Sequence, residues 1–288
     1  MSDQKILLQI DTDAQTSVFD SVVAIDAGVD HLLRHNRVDA GGVRDLVYGA
    51  MFTRGPADLK STAIFVGGSD VASGEAVFKA VQKCFFGPIR VSSMIDSNGS
   101  NTTAAAAVLL AAKHIELRGA TAVILAATGP VGSRVVRLLA GKQAKVRAAS
   151  RTLVKAQAVC DDVSSLVDAA NVTAHQVDST ESLTKVLHGA DLVICAGAAG
   201  IQLLPVTNRE ATSTLQVAID LNAVPPLGIE GIQVHDRAVD YGGVACYGAV
   251  GVGGLKMKIH KAAIRQLFES NDQLLDAEEI LAIGAALD

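Results

Sequence analysis

The stretch Ala122-Val123-Ile124-Leu125-Ala126-Ala127-Thr128-Gly129-Pro130-Val131-Gly132 decides the fold of the second half of the chain. An apolar run typical of a buried strand leads into a turn of small residues, and a helical pattern follows from Pro130. Gly129 and Gly132 hold the second and third glycine positions of the G-x-G-x-x-G pattern. Because this pattern lies between a strand and a helix, it predicts a turn that holds a dinucleotide pyrophosphate at the helix N-terminus.

Each position of this turn has an expected role. Gly129 lets the backbone approach the pyrophosphate, and Gly132 lets the helix pack closely on the strand. Pro130 suits the first helical turn because its missing N–H would have no partner there. Ala127 replaces the first glycine, and we expect a small cost because alanine disfavours only a positive φ. The predicted contacts are Thr128, Gly129, Pro130, Val131 and Gly132, and the alternative is a plain turn without a ligand.

The choice between NAD and NADP is made at the end of the next strand, where NAD enzymes place an acid on the ribose hydroxyls. Here that position holds Ser150-Arg151-Thr152, with Lys155 one turn later. A guanidinium binds a 2′-phosphate that an acid would repel. The sequence therefore predicts NADP as the cofactor, with use of NAD as well as the main alternative. A solvated surface charge is the other interpretation of Arg151.

Two further loops follow later strands, at the ends where ligands of open α/β sheets bind. We expect Ala196, Gly197 and Ala198 to approach the nicotinamide ribose and Asn222 to bond the carboxamide. For both loops a simple turn is an equal alternative.

Strand-like and helix-like segments alternate along the whole chain, which predicts two α/β domains, the second a Rossmann-type doubly wound parallel sheet. In the first domain we expect strands at 5–10, 61–67 and 90–95 and helices at 17–27, 42–52 and 70–85. A polar break at 96–101 marks the boundary, and a helix capped by Ser100 or Asn101 should run from 102 to about 117. The predicted domains are 1–98 with 260–288, and 99–259. Residues 260–287 are expected to be wholly helical and to pack back on the first domain, closing a cleft between the two.

Composition excludes several classes of protein. Among 288 residues, 49% are hydrophobic, but the longest apolar stretch, 104–112, is shorter than the ~20 residues that span a bilayer. The first residues lack a secretory or organellar signal, so we expect a cytoplasmic protein. A net charge of −5 without a basic stripe argues against nucleic acid.

Neither the cysteines nor the histidines predict a metal site. The four cysteines, far apart and without a C-x-x-C pair, fit buried reduced thiols. His31 and His35 could share a helix face, yet no H-E-x-x-H pattern accompanies them, and residues 28–38 fit a polar strand or loop equally well, so we expect no metal.

Four long motifs resemble one family. They are residues 96–106, the Ala-Thr-Gly-Pro-Val-Gly turn, residues 222–229 and residues 248–258, with Asp11-Thr12-Asp13 and Phe19-Asp20 near the start. In this order they resemble the NAD(P)-dependent methylene-tetrahydromethanopterin dehydrogenases of bacterial one-carbon metabolism. The resemblance covers nearly the whole chain. It implies a role in oxidising carbon derived from formaldehyde, a pterin substrate, and a homo-oligomer, which we expect to be a trimer. Members of the family differ in using NADP only or both nucleotides, and some also accept methylene-tetrahydrofolate.

The implied reaction removes a hydride and moves no proton, so it needs alignment and water exclusion rather than an acid–base pair. Asp20 is the candidate carboxylate near the developing positive charge, and Lys256 the candidate residue beside the pterin. Ser97, Asn98, Asn101 and Thr102 are candidates for holding the pterin edge, with a turn and helix cap as the alternative. Two other functions remain open: a shikimate- or amino-acid-type dehydrogenase, and an NADP sensor without catalysis.

Overall fold

The computed structural model describes residues 4–287, which form two compact units. The first unit contains the chain up to Thr102 and again from Met257, and the second contains Thr103–Lys256. We propose that these units are the two domains expected from the sequence. Within the described range, no helix is both long and apolar enough to cross a membrane.

The chain begins with alternating parallel strands and helices. They are β1 (Ile6–Asp11), α1 (Val18–Asp26), β2 (His31–His35), α2 (Val43–Phe52), β3 (Thr62–Gly67), α3 (Val71–Lys83), β4 (Ser92–Ile95) and α4 (Ser100–Ala112). The ends of α1 and α3 follow from their caps, because Ser17 accepts a hydrogen bond from Asp20 N and Asp70 accepts one from Ser73 N.

The second unit continues the alternation. Its elements are β5 (Thr121–Leu125), α5 (Pro130–Gly141), β6 (Lys145–Ser150), α6 (Leu153–Leu166), β7 (Asn171–Gln176), α7 (Thr180–Leu187), β8 (Leu192–Cys195), α8 (Val206–Ala211), β9 (Val217–Asp220), β10 (Val239–Asp240) and β11 (Ala245–Tyr247). The long helix α9 (Ala249–Gln266) then returns the chain to the first unit, which ends with β12 (Leu274–Leu275) and α10 (Ala277–Ala285).

The first unit is built on a parallel five-stranded sheet in the order β12-β4-β3-β1-β2. The strand β3 is buried along its whole length, as expected for a strand covered by helices on both faces. One packed core joins the sheet to α2 and α3 through Leu8, Val47, Ile64 and Val77.

The second unit is built on a seven-stranded sheet in the order β10-β11-β9-β8-β5-β6-β7. All pairs are parallel except β10 with β11. The predicted class, two α/β domains with parallel sheets and the second of Rossmann type, is confirmed.

Two local expectations need correction. Residues 260–287 are not wholly helical, because Leu274 and Leu275 form β12 and add an edge strand beside β4 before α10 packs on this unit. Helix α4 ends at Ala112 rather than near 117. Of the two interpretations of residues 28–38, the strand is the one that the structure shows at His31 and His35, where residues four apart are separated by about 13 Å.

Candidate functional site

The candidate nucleotide site lies at the carboxyl edge of the seven-stranded sheet. Strand pairing puts Leu125, Ala149, Cys195 and Asp220 side by side at the ends of β5, β6, β8 and β9. The chain leaves β5 towards β6 and β7, then returns to place β8 and β9 on the other side of β5. This reversal makes the crevice between the β5 and β8 loops the place where open α/β sheets bind ligands.

The turn after β5 has a residue with positive φ one position before Ala127, the residue at the first glycine position of the pattern. Ala126 has a φ of 57°, whereas Ala127, the residue in the first glycine position, is not among the residues with positive φ. The small cost expected from a positive φ at Ala127 therefore does not arise at that residue. The left-handed conformation is held because Ala127 N donates to Ala149 O of β6 and Gly129 N donates to Ala126 O.

The two glycines of this turn differ in what surrounds them. A side chain at Gly132 would lie 2.6 Å from Ala126 O and 2.9 Å from Ala127 Cα, so α5 approaches the turn only because residue 132 has none. At Gly129 an added Cβ would lie 3.6 Å from Ala126 O and Ala196 O, an ordinary contact. The protein itself therefore does not require glycine at 129, which leaves space at the helix N-terminus for an approaching anion.

The end of β6 presents a cation without a protein partner. Ser150 is nearly buried, while Arg151, Thr152 and Lys155 are exposed. Arg151 makes no hydrogen bond or ion pair with any residue between 4 and 287. Thr152 N lies 3.5 Å from Ser150 Oγ, which shapes the turn into α6. A guanidinium at the end of β6, where residues 150–152 include no acid, can pair with a phosphate on the nucleotide ribose.

The loop after β8 stays close to the sheet. Ala196 N donates to Leu125 O, which joins this loop to the β5 end, and a Cβ on Gly197 would lie 2.7 Å from Leu203 Cδ1. Ala198 is exposed. The small residues expected near the nicotinamide ribose therefore do lie at the same edge as the β5 turn.

Asn222 braces its own loop. Its Nδ2 donates to Pro226 O, its Oδ1 accepts from Val224 N, and only 4% of the residue is exposed. Asp220 holds the loop from the other side, accepting hydrogen bonds from Asn222 N and Ile229 N. Burial raises the pKa of Asp220 above its usual value, and the hydrogen bonds from these backbone donors offset only part of that rise. The carboxamide contact expected of Asn222 stays a prediction.

In the first unit, acidic residues gather at the carboxyl edge of the five-stranded sheet. Asp11 ends β1 beside Gly67 of β3, and Asp96 follows β4. Asp20 lies in the first turn of α1, and a side chain at Gly67 would lie 3.7 Å from its Oδ2. The side chain of Asp20 is 13% exposed, whereas that of Asp96 is fully buried.

The polar segment after β4 folds inward. Asp96 Oδ1 accepts from the backbone N of Asn101 and Thr102, and Asp96 Oδ2 accepts from Thr102 Oγ1, so Asp96 caps α4 in place of Ser100 or Asn101. Asn101 Nδ2 donates to Ile95 O and to Asp276 Oδ1. Ser97 is buried against Gly74.

The turn-and-cap interpretation therefore describes the side chains of Ser97, Asn101 and Thr102. Of the four residues expected to hold a pterin edge, only Asn98 is exposed. Its φ of 56° is fixed by the hydrogen bond from Asn98 N to Gly68 O.

His260 was not among the predicted site residues, yet it lies at the centre of this edge. It is fully buried on α9, with Nε2 4.0 Å from Asp20 Oδ1 and Nδ1 4.0 Å from Asp96 Oδ2. Its ring stacks on Phe65 at 5.8 Å between centroids and lies 6.4 Å from Phe19. These partners are distant in sequence, so only one signal was available beforehand. His260 follows Lys256 by one helical turn, and residues at that spacing share a helix face.

Lys256 itself is half-buried on α9. Lys258, two residues later, is exposed. The two lysines thus differ in burial although they lie on the same helix.

The comparisons with known proteins agree along the whole chain. A family model described as methylene-tetrahydromethanopterin dehydrogenase, N-terminal, matches residues 18–98, and one described as NAD(P)H-binding matches residues 126–234. The chain is 50% identical over 283 residues to "Bifunctional protein MdtA" of Methylorubrum extorquens, with 98% of each chain covered. It is 31% identical over 274 residues to the NAD(P)-dependent methylenetetrahydromethanopterin dehydrogenase of the same organism, with 90% of each covered.

Solved structures share the fold at low identity. Shikimate 5-dehydrogenase from Listeria monocytogenes, in complex with shikimate and NAD, aligns with a TM-score of 0.54 at 13% identity, covering 100% of this chain and 98% of the other. Quinate dehydrogenase from Corynebacterium glutamicum, in complex with NAD, aligns with a TM-score of 0.52 at 16% identity, covering 99% and 100%. Both likenesses concern the fold alone.

Proposed function

Because the chain belongs to the methylene-tetrahydromethanopterin dehydrogenase family, we propose that it oxidises the methylene bridge of methylene-tetrahydromethanopterin and passes the hydride to NADP. The observation that carries the proposal is the carboxyl edge of the seven-stranded sheet. There α5 approaches the turn after β5 closely at Gly132. Arg151, whose guanidinium has no protein partner among residues 4–287, follows the adjacent strand β6.

The nucleotide preference follows from charge. A 2′-phosphate carries negative charge that Arg151 can pair with, and Thr152 and Ser150 add hydroxyl donors at the same strand end. Lys155, exposed on the first turn of α6, adds a second cation within reach of that strand end. We expect NAD to be used less well, because it lacks the phosphate and no acid is present to bind its ribose hydroxyls.

The reaction needs orientation and charge stabilisation rather than a proton acceptor. Bound NADP supplies the hydride acceptor. The protein must hold the reacting carbons about 3–3.5 Å apart and exclude water that would hydrolyse the methenyl product. The turn after β5 and the loop at 196–198 fix the nucleotide end of this arrangement.

Two charged residues are proposed to act on the pterin. Asp20, whose carboxylate is only partly exposed, favours the positive charge that develops as the hydride leaves. A cation beside the bridge would oppose that charge, so we propose that Lys256 orients a pterin carbonyl instead. Asn98 offers the exposed amide of the polar segment after β4 for the pterin edge.

Methylene-tetrahydrofolate is proposed as a second substrate, because the reacting ring is the same and only the tail differs. We also propose a homo-oligomer, most simply a trimer. The support in this chain is an apolar face on α1, where Val18, Val22 and Ile25 are each more than half exposed.

The test is an assay of the purified protein with each methylene-pterin and each nucleotide, following reduced nicotinamide and methenyl product by absorbance. We expect turnover with methylene-tetrahydromethanopterin and NADP. Failure with both pterins would reject the proposed function. Light scattering after size-exclusion chromatography tests the oligomer, and a monomeric mass would reject that part alone.

A further inference from the structure

A cavity lies in the Rossmann unit, away from the nucleotide loops. It has a volume of about 360 Å³, and its walls include Arg209, Ser213, Leu215, Tyr241 and Val244. These residues precede β9 and β11 or follow the antiparallel β10, so the cavity lies at the amino-terminal edge of the sheet. The nucleotide loops lie at the carboxyl edge, at the far end of β9, whose four residues span about 13 Å.

Arg209 gives this cavity its chemical character. The residue lies in the last turn of α8 and is only 4% exposed. Its Nε and Nη1 are buried and have no hydrogen-bond partner among residues 4–287. An arginine cannot lose its charge in a protein, so a buried guanidinium with two nitrogens that make no hydrogen bond carries a desolvation cost that an added anion would offset.

The acids near Arg209 do not neutralise it. Glu210 Oε1 lies 3.7 Å from Nη2, but its side chain is 68% exposed, and such surface pairs contribute little. Asp236 Oδ2 is already bonded to Gln233 N and to the hydroxyl of Tyr241. The centroid of the Tyr241 ring lies 5.3 Å from the guanidinium carbon. This contact orients the guanidinium, but a neutral ring does not neutralise its charge.

We propose that this cavity binds a small oxyanion, a phosphate or carboxylate group of a metabolite, with Arg209 as its anchor. The guanidinium fork matches the geometry of both groups, and the exposed Ser213 lines the same cavity. Because the cavity and the nucleotide loops lie at opposite edges of the sheet, the anion binds together with NADP rather than in competition with it.

The experiment measures the melting temperature against inorganic phosphate, with sodium chloride adjusted to constant ionic strength and NADP saturating, so that the nucleotide site cannot take up phosphate. A parallel series uses succinate, which distinguishes a phosphate from a carboxylate preference. We expect a saturable rise of several degrees with at least one of the two anions. Arg209→Met should lose this rise, whereas Arg44→Met, which removes an exposed arginine, should keep it.

A second variant avoids truncating the buried arginine. Ser213→Glu places a carboxylate at the mouth of the cavity, so it should raise the melting temperature without added anion and abolish the response to phosphate and succinate. The proposal is overturned if the wild type shows no rise beyond the chloride control, or if Arg209→Met keeps the rise. It is also overturned if Arg209→Met changes only the oligomeric state, because a partner subunit would then be what Arg209 binds.

Discussion

The imidazole of His260 lies between two carboxylates, with Nε2 4.0 Å from Asp20 Oδ1 and Nδ1 4.0 Å from Asp96 Oδ2. Both distances exceed a hydrogen bond, so the ring and the two carboxylates are in longer-range polar contact within a buried site. Asp96 is also committed to the cap of α4. One ring on α9 therefore links the first turn of α1 to the polar segment after β4.

This relationship predicts the effect of His260→Phe, which keeps the stacking on Phe65 but removes both ring nitrogens. We expect the free energy of unfolding in urea at pH 7 to fall by about 0.5–3 kcal/mol, because the substitution disrupts a buried polar network. Phe19→Leu, which changes only the other ring contact, should have a smaller effect. In a double-mutant cycle, His260→Phe and Asp20→Asn should couple by about 0.5–3 kcal/mol, and additive effects would contradict the link.

Arg151→Ala tests the charge that selects the nucleotide. Loss of a charge-assisted pair of about 1.5–3 kcal/mol should raise the KM for NADP by roughly 10- to 150-fold and leave the KM for NAD nearly unchanged. Lys155→Ala should give a smaller increase, because this lysine lies one turn further along. Steady-state kinetics with both nucleotides measure the effect, and equal changes for NADP and NAD would refute the phosphate contact.

How far the sequence determines the fold differs from strand to strand. Buried parallel strands such as β3 and β5 are short apolar runs between turn signals, so their positions could be predicted within one or two residues. The short strand β12 could not, because two residues carry no periodic pattern and their pairing with β4 is a tertiary contact.

The site shows the same limit. The β5 turn and Arg151 could be predicted because neighbours in sequence form them. In contrast, the polar residues Ser97, Asn101 and Thr102 look available in the sequence but are buried. Asp96 binds the backbone N of Asn101 and Thr102 and the Thr102 hydroxyl in the cap of α4, and the Ser97 hydroxyl donates to Gly67 O. His260 escaped notice because each of its partners comes from a different element.

Gly132→Ala tests the packing of α5 on the β5 turn. The added methyl would meet backbone atoms at 2.6 and 2.9 Å, and backbone cannot move aside as a side chain can. We expect a loss of about 1–3 kcal/mol in unfolding free energy and weaker NADP binding by calorimetry. Gly141→Ala on the same helix has nothing within 4 Å of the new methyl and should be neutral or stabilising. Equal behaviour of the two variants would show that α5 does not depend on close approach.

The cysteine thiols should be inert in the folded protein. All four are buried, and desolvation raises the pKa of Cys195 to about 12 and that of Cys246 to about 11. At pH 8 a thiol of pKa 11 is ionised in roughly one molecule in a thousand, against about a quarter for an ordinary cysteine. Ellman's reagent should therefore find no fast-reacting thiol in native protein and all four after denaturation in guanidinium. A rapidly reacting native thiol would contradict this burial.

The opposite charges of Asp20 and Lys256 should affect different steps. Asp20→Asn removes a negative charge near the developing cation, so kcat for methylene oxidation should fall by about 10- to 100-fold with little change in the KM for the pterin. Lys256→Met removes the proposed orienting group, so the KM for the pterin should rise and kcat/KM should fall. Lys258→Met, on the same helix but exposed, is the matched control and should leave both constants unchanged. If Asp20→Asn raised only the KM, the carboxylate would be a binding group and would not stabilise the transition-state charge.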